Sequence, residues 1–65
     1  MKIFINDEEK QVKSTNLADL LHEFDYAGEW LATAVNAELV AAEDREKYQL
    51  ANGDRIEILS PMQGG

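Results

Sequence analysis

The sequence ends on Gly64-Gly65, five residues after a strand-like run. Two glycines at a carboxyl terminus carry no side chain to shield the carboxylate, and their backbone adopts almost any φ/ψ. A second protein can thread such an end through a narrow channel and act on the terminal carboxyl. The expected reactive group is therefore the carboxylate of Gly65, with Gly64, Gln63 and Met62 as the stretch that enters a partner's active site. Fully extended, residues 61–65 span about 17 Å, enough for the body to dock outside while the end reaches in.

The other chemistry-bearing residues offer less. His22 is the single histidine, so no histidine pair can bind a metal, and near the end of a helix it fits a solvated residue favoured by the dipole. Asp7-Glu8-Glu9 and Glu43-Asp44 are acidic runs of a kind that is usually solvated. No nucleophile or phosphate-cradling loop accompanies them. No catalytic residue and no metal site is expected within the chain itself. The chain has no cysteine, so neither a disulfide nor a side-chain thiol is available.

Composition narrows the partners. Thirteen acidic residues face six basic ones, for a net charge of −7. Nucleic acid and anionic membranes would repel such a chain, and a protein with a basic docking surface would attract it. The apolar runs are far short of the ~18 residues a membrane span needs. Met1-Lys2-Ile3-Phe4-Ile5-Asn6 turns polar too early for a signal peptide, so a cytoplasmic location is expected.

The elements that must carry the tail are legible as patterns. Met1 to Asn6 alternates with period two and predicts a strand. Asn6 to Glu9 predicts a turn, and Lys10 to Lys13 a second strand. Asn16 is a good N-cap with Asp19 three residues on, and Leu17, Leu20, Leu21 and Phe24 form the stripe of an amphipathic helix. Gly28 is the expected left-handed stop. Tyr26 and Trp30 are expected to cap the core edge. Leu31 to Val35 predicts a third strand whose small residues let the helix approach. A turn at Asn36-Ala37-Glu38 and a short strand at Leu39-Val40 follow. Glu43 to Tyr48 predicts one helical turn, Asn52-Gly53-Asp54 a turn, and Arg55 to Ser60 a last strand ended by Pro61. Ile56 and Ile58 would face inward. Phe4, Leu59 and Met62 would lie on the opposite face, where Phe4 and Leu59 are candidates for a partner-docking patch. The order β-β-α-β-β-β predicts an α+β domain of β-grasp type. It has a mixed sheet with one main helix packed across one face, a body over residues 1–60 and a flexible tail over 61–65.

Four segments carry a resemblance that covers the whole chain. They are Met1 to Asn6; Asn16-Leu17-Ala18-Asp19-Leu20-Leu21; Ala34-Val35-Asn36-Ala37-Glu38-Leu39-Val40; and Asn52-Gly53-Asp54-Arg55-Ile56-Glu57-Ile58 with Gly64-Gly65. Together they resemble the ubiquitin-like sulfur carriers, and within them the ThiS family of thiamin biosynthesis. Ala37 departs from the family's usual glycine. Pro61-Met62 is similar to the tail of the molybdopterin-synthase small subunit, a generally longer chain.

The resemblance implies a ubiquitin-like fold and a protein cosubstrate, not an enzyme. An E1-like activating enzyme would use ATP-Mg to adenylate Gly65. A sulfur donor, either a cysteine desulfurase or a persulfide protein, would convert the adenylate to a thiocarboxylate. Thiazole synthase would then take the sulfur. The alternatives are a molybdopterin-type carrier, a ubiquitin-like protein modifier that forms isopeptide bonds, and an inert β-grasp binding module.

Overall fold

The computed structural model describes residues 1–26 and 31–59. Strand β1 (Lys2–Ile5) and strand β2 (Glu8–Gln11) form the first hairpin. Helix α1 spans Leu17–Glu23. Strands β3 (Ala32–Val35) and β4 (Glu38–Val40) form the second hairpin, and β5 (Arg55–Leu59) is the last strand. A short 3-10 helix at Ala42–Asp44 begins the connection from β4 to β5.

The strands make one sheet in the order β2-β1-β5-β3-β4. The last strand is thus the middle one, parallel to β1 and antiparallel to β3. The helix joins β2 to β3. These strands run in the same direction but are separated by β1 and β5. The parallel neighbours are the first and last strands of the chain.

Alternation puts Ile3, Ile5, Val35, Val40, Ile56 and Ile58 on one face of the sheet, buried with Val12 and with Leu17, Leu20 and Leu21 of the helix. Burying each such side chain contributes about 1.5–3 kcal/mol. The residues that face α1 from β3 are Thr33 and Val35, while Ala32 and Ala34 lie on the opposite face. The small residues of β3 therefore do not serve the helix approach expected of them; the period-two alternation of the strand turns them away.

Each N–H of the helix's first turn has a partner, as a buried helix start requires. Leu17 N donates to Tyr48 O (3.1 Å), Ala18 N to Arg45 O (3.1 Å) and Asp19 N to the Asn16 side-chain oxygen (2.8 Å). The polar stretch after β4 thus docks the helix. Arg45 holds that stretch to the sheet. Its Nε donates to Thr33 Oγ1 (3.2 Å) and its Nη2 to Leu31 O (2.6 Å), while Thr33 Oγ1 donates to Val40 O (2.9 Å). Arg45 is itself buried.

The helix stops at Asp25, not at the expected Gly28, which lies outside the described residues together with Trp30. Asp25 has φ 61°, Asp25 N donates to His22 O and Tyr26 N to Leu21 O, the paired bonds of a Schellman motif. Aspartate is among the non-glycine residues that enter this left-handed conformation most often, because its short polar side chain can hydrogen-bond locally. Tyr26 then packs on the edge of the core.

The first hairpin is tighter than the sequence pattern implies. Asn6 (φ 49°) and Asp7 (φ 70°) complete the turn by themselves, and Ile5 pairs with Glu8. Strand β2 therefore begins at Glu8, two residues before the predicted Lys10. Positive φ at both central residues marks the hairpin turn whose twist matches the strands, and Asn and Asp are among the residues that accept it. The second hairpin repeats the geometry with Asn36 (φ 51°) and Ala37 (φ 71°), and Val35 pairs with Glu38.

Candidate functional site

Strand β5 is the last described element and precedes the predicted tail in the sequence. The predicted reactive residue Gly65 and the threading residues Gly64, Gln63 and Met62 lie outside the described residues, as does Pro61. What the structure describes is their mount.

That mount is held from both sides. Toward β1, Phe4 N donates to Asp54 O and Asn6 N to Ile56 O, each at 2.9 Å. Toward β3, the register runs from Val35 opposite Ile56 to Ala32 opposite Leu59. Two asparagine side chains extend these ladders. Asn6 accepts from Ile58 N (2.9 Å) and donates to Ile58 O (3.2 Å). Asn36 accepts from Arg55 N (3.0 Å) and donates to Asp54 Oδ1 (3.0 Å). Gly53, with φ 89°, turns the chain into β5 and donates to Lys2 O (2.7 Å). Asn52, beside it, accepts from Lys2 N (2.9 Å).

Among the described residues the sheet face opposite the helix is uncovered around Leu39 and Leu59. Leu59 is 65% exposed and Leu39 85% exposed. They flank Ala32 and Ala34, and with Ala37 and Glu57 they line a shallow concavity. Ala32 sits opposite Leu59 and Ala34 opposite Leu39, so the patch is continuous across three strands. Phe4 is on the same face but elsewhere on it. It pairs with Arg55, about 13 Å along β5 from Leu59 at ~3.3 Å per residue. The Arg55 guanidinium lies 6.0 Å from the Phe4 ring centroid, and the ring is half-buried. The two predicted docking residues therefore share a face without touching. Leu39, Ala32 and Ala34 complete the patch around Leu59. Sequence reasoning missed them, although Leu39 alternates with buried Val40 and so had to face outward.

The acidic runs do not converge. Asp7 is in the first turn, Glu8 and Glu9 are exposed on β2, and Glu43 and Asp44 are exposed in the 3-10 helix. Among the described residues no three acidic or histidine side chains come together as a metal cage. No helix there is long and apolar enough to cross a membrane, which says nothing about a β-barrel.

One carboxylate has a defined local role. Glu23, at the end of α1, accepts from Ser14 Oγ, Ser14 N and Lys13 N and so fastens the loop between β2 and the helix. The Ser14 hydroxyl, chiefly, and the two backbone N–H groups hold its pKa below the ordinary glutamate value.

Among the described residues, one main α-helix across one face of a mixed sheet, with the last strand in the middle beside the first, defines a ubiquitin-like β-grasp protein. Comparison with known proteins is more specific. The model of the ThiS family matches residues 3–65, and the chain belongs to that family. It is 36% identical over 63 residues to the uncharacterized protein ycf40 of Trieres chinensis, covering 95% of this chain and 86% of that one. The crystal structure of the thiamine biosynthesis protein ThiS from Geobacter metallireducens matches with a TM-score of 0.85 at 26% identity, covering 100% of both chains. The solution NMR structure of a thiamine biosynthesis protein from the same organism gives 0.81 at 26% identity, covering 100% of this chain and 88% of the other.

Proposed function

We propose that this chain is a sulfur carrier of thiamin biosynthesis and that its working atom is the carboxyl carbon of Gly65. The observation that carries the proposal is the reach of the family match, which extends through Gly64-Gly65 on a β-grasp body. Membership of the ThiS family and likeness to proteins described as thiamine biosynthesis proteins support the pathway.

The chemistry follows from the carboxylate's weakness as an electrophile. Its leaving group would be oxide. An E1-like activating enzyme brings ATP-Mg; the Gly65 carboxylate attacks the α-phosphorus, pyrophosphate departs, and the acyl-adenylate acquires AMP as a stable leaving group. The terminal sulfur of a persulfide on a cysteine desulfurase or persulfide protein displaces AMP to give an acyl disulfide. A thiol, such as excess cysteine, then cleaves its S–S bond, releasing the thiocarboxylate and leaving a disulfide on the donor. Glycine at the reacting position keeps side-chain bulk away from the tetrahedral intermediate. The thiocarboxylate is a softer nucleophile than the carboxylate and passes its sulfur to thiazole synthase. The chain contributes no acid, base or metal. It is a protein cosubstrate, and its partners perform the catalysis in the cytoplasm.

Docking falls to the open sheet face. Leu39, Leu59, Ala32 and Ala34 offer apolar area next to Glu57, and the chain's net charge of −7 favours a partner surface edged with cations. Intact-mass measurement tests the proposal after incubation with an E1-like adenylating enzyme, ATP-Mg, a cysteine desulfurase and cysteine. One oxygen-to-sulfur exchange is expected. An unchanged mass would count against sulfur carriage, and reductant-resistant adducts on lysines of other proteins would favour a protein modifier instead.

A further inference from the structure

Strand β1 ends before β5 does. The backbone ladder between them reaches Asn6 N to Ile56 O, and then Asn6, at φ 49°, turns the chain away into the hairpin. In a parallel pair alternate residues of a strand bond the same neighbour, so the N–H and C=O of Ile58, like the C=O of Ile56, point toward β1. Among the described residues no backbone remains there to meet them. The carboxamide of Asn6 does so instead, accepting from Ile58 N at 2.9 Å and donating to Ile58 O at 3.2 Å. It stands in for the missing peptide group. We propose that Asn6 is a positioning residue for tail activation. By extending β1 with its side chain, it pins the end of β5 at Ile58 and so fixes the point from which the reactive terminus is presented.

The proposal rests on the sulfur-carrier reading, since it matters only if the terminus enters a partner's site. Neither close relative of asparagine replaces it. Aspartate lacks the donor for Ile58 O, and glutamine is one methylene too long for a turn residue that must reach straight across. With the pin gone, the last rung of β5 depends on β3 alone. More residues then belong to the tether, and each conformation added lowers the effective concentration of the terminus at the partner's active site. Asn36 provides the internal comparison, because its side chain pins the other end of the same strand at Arg55.

The test compares wild type with Asn6→Gly and Asn36→Gly. Glycine keeps the left-handed turn and removes only the side chain, so both variants fold. Amide hydrogen exchange of the free proteins is read first. Asn6→Gly should speed exchange at Ile58 and leave Ile56 protected; Asn36→Gly should speed exchange at Arg55 and leave Ile58 protected. Adenylation by an E1-like enzyme is read second, as ATP–pyrophosphate exchange with carrier concentration varied. Asn6→Gly should lower kcat several-fold with little change in KM, and Asn36→Gly should leave kcat as in wild type. A carrier that was merely less folded would show the opposite pattern, because the carrier is the substrate and a smaller folded fraction raises apparent KM. Unchanged Ile58 exchange, or an unchanged kcat for Asn6→Gly, would overturn the proposal. If the wild type is not adenylated while Ile58 still loosens in Asn6→Gly, the sulfur-carrier reading fails and the strand pin stands.

Discussion

The turns at Asn6-Asp7 and Asn36-Ala37 have nearly the same backbone and unequal chemistry. Their φ values, 49° and 70° against 51° and 71°, describe one conformation built twice. In each, the first residue is asparagine, which accepts a left-handed backbone and whose amide reaches β5. The second residues differ. Asp7 is of a type that tolerates positive φ, whereas Ala37 carries a Cβ that does not. The difference separates two demands on a tight turn. The first position serves the last strand, and the second only has to bend, so that is where a strained residue can persist.

The largest expected effect removes the floor under both turns. Leu20 is fully buried between helix and sheet, so Leu20→Asp places an unpaired carboxylate in the core and should abolish the cooperative transition in thermal circular dichroism. A smaller change affects the β3 side alone. Arg45→Ala removes the donors to Thr33 Oγ1 and Leu31 O and should cost about 2–3 kcal/mol in urea denaturation, with the Asn6-Asp7 hairpin keeping its chemical shifts. Sharpening the comparison directly, Ala37→Gly should stabilise the protein by ~0.5–1 kcal/mol, and Asp7→Gly by less, in the same assay. Equal gains would mean that the two second positions carry equal strain.

The smallest effect lies outside both turns and serves as their pH control. Glu23 has a depressed pKa in the folded state, so its contribution is fully present above the unfolded glutamate value, about 4.3. It is lost as pH falls from there through the folded-state pKa. Glu23 is exposed to solvent, which keeps the effect small. The denaturation midpoints of wild type and Glu23→Gln should differ at neutral pH and converge in acid, with neither turn affected. A gap that widened in acid would reverse the sign of the assignment.

Local chemistry made much of this fold legible. The Asn16 cap with Asp19, the leucine stripe, the β3 hairpin turn and the alternation of β5 all rest on contacts a few residues apart. Pairings between distant residues were not legible. Nothing near Arg55 signals that β5 lies beside β1, and nothing in the polar stretch around Arg45 signals that its guanidinium is buried under β3. The asparagines could be read as turn residues, but not as rungs of a ladder with β5, which lies 52 residues from Asn6 at Ile58 and 19 from Asn36 at Arg55. Asp25 displaced Gly28 as the helix stop because aspartate competes at positive φ. Of the candidate site, the glycine pair is singled out by its chemistry alone and lies outside the described residues. The patch around Leu59 needed the sheet order that brings β4 and β3 beside β5.

The central claim is that the reacting atom is the carboxyl carbon of Gly65. Top-down mass spectrometry of the protein after reaction with an adenylating enzyme, ATP-Mg, a cysteine desulfurase and cysteine addresses it most directly. The account predicts a single oxygen-to-sulfur exchange confined to fragments that contain Gly65, abolished when one residue is added after it. Sulfur located elsewhere in the chain, or an undiminished yield from the extended protein, would contradict it.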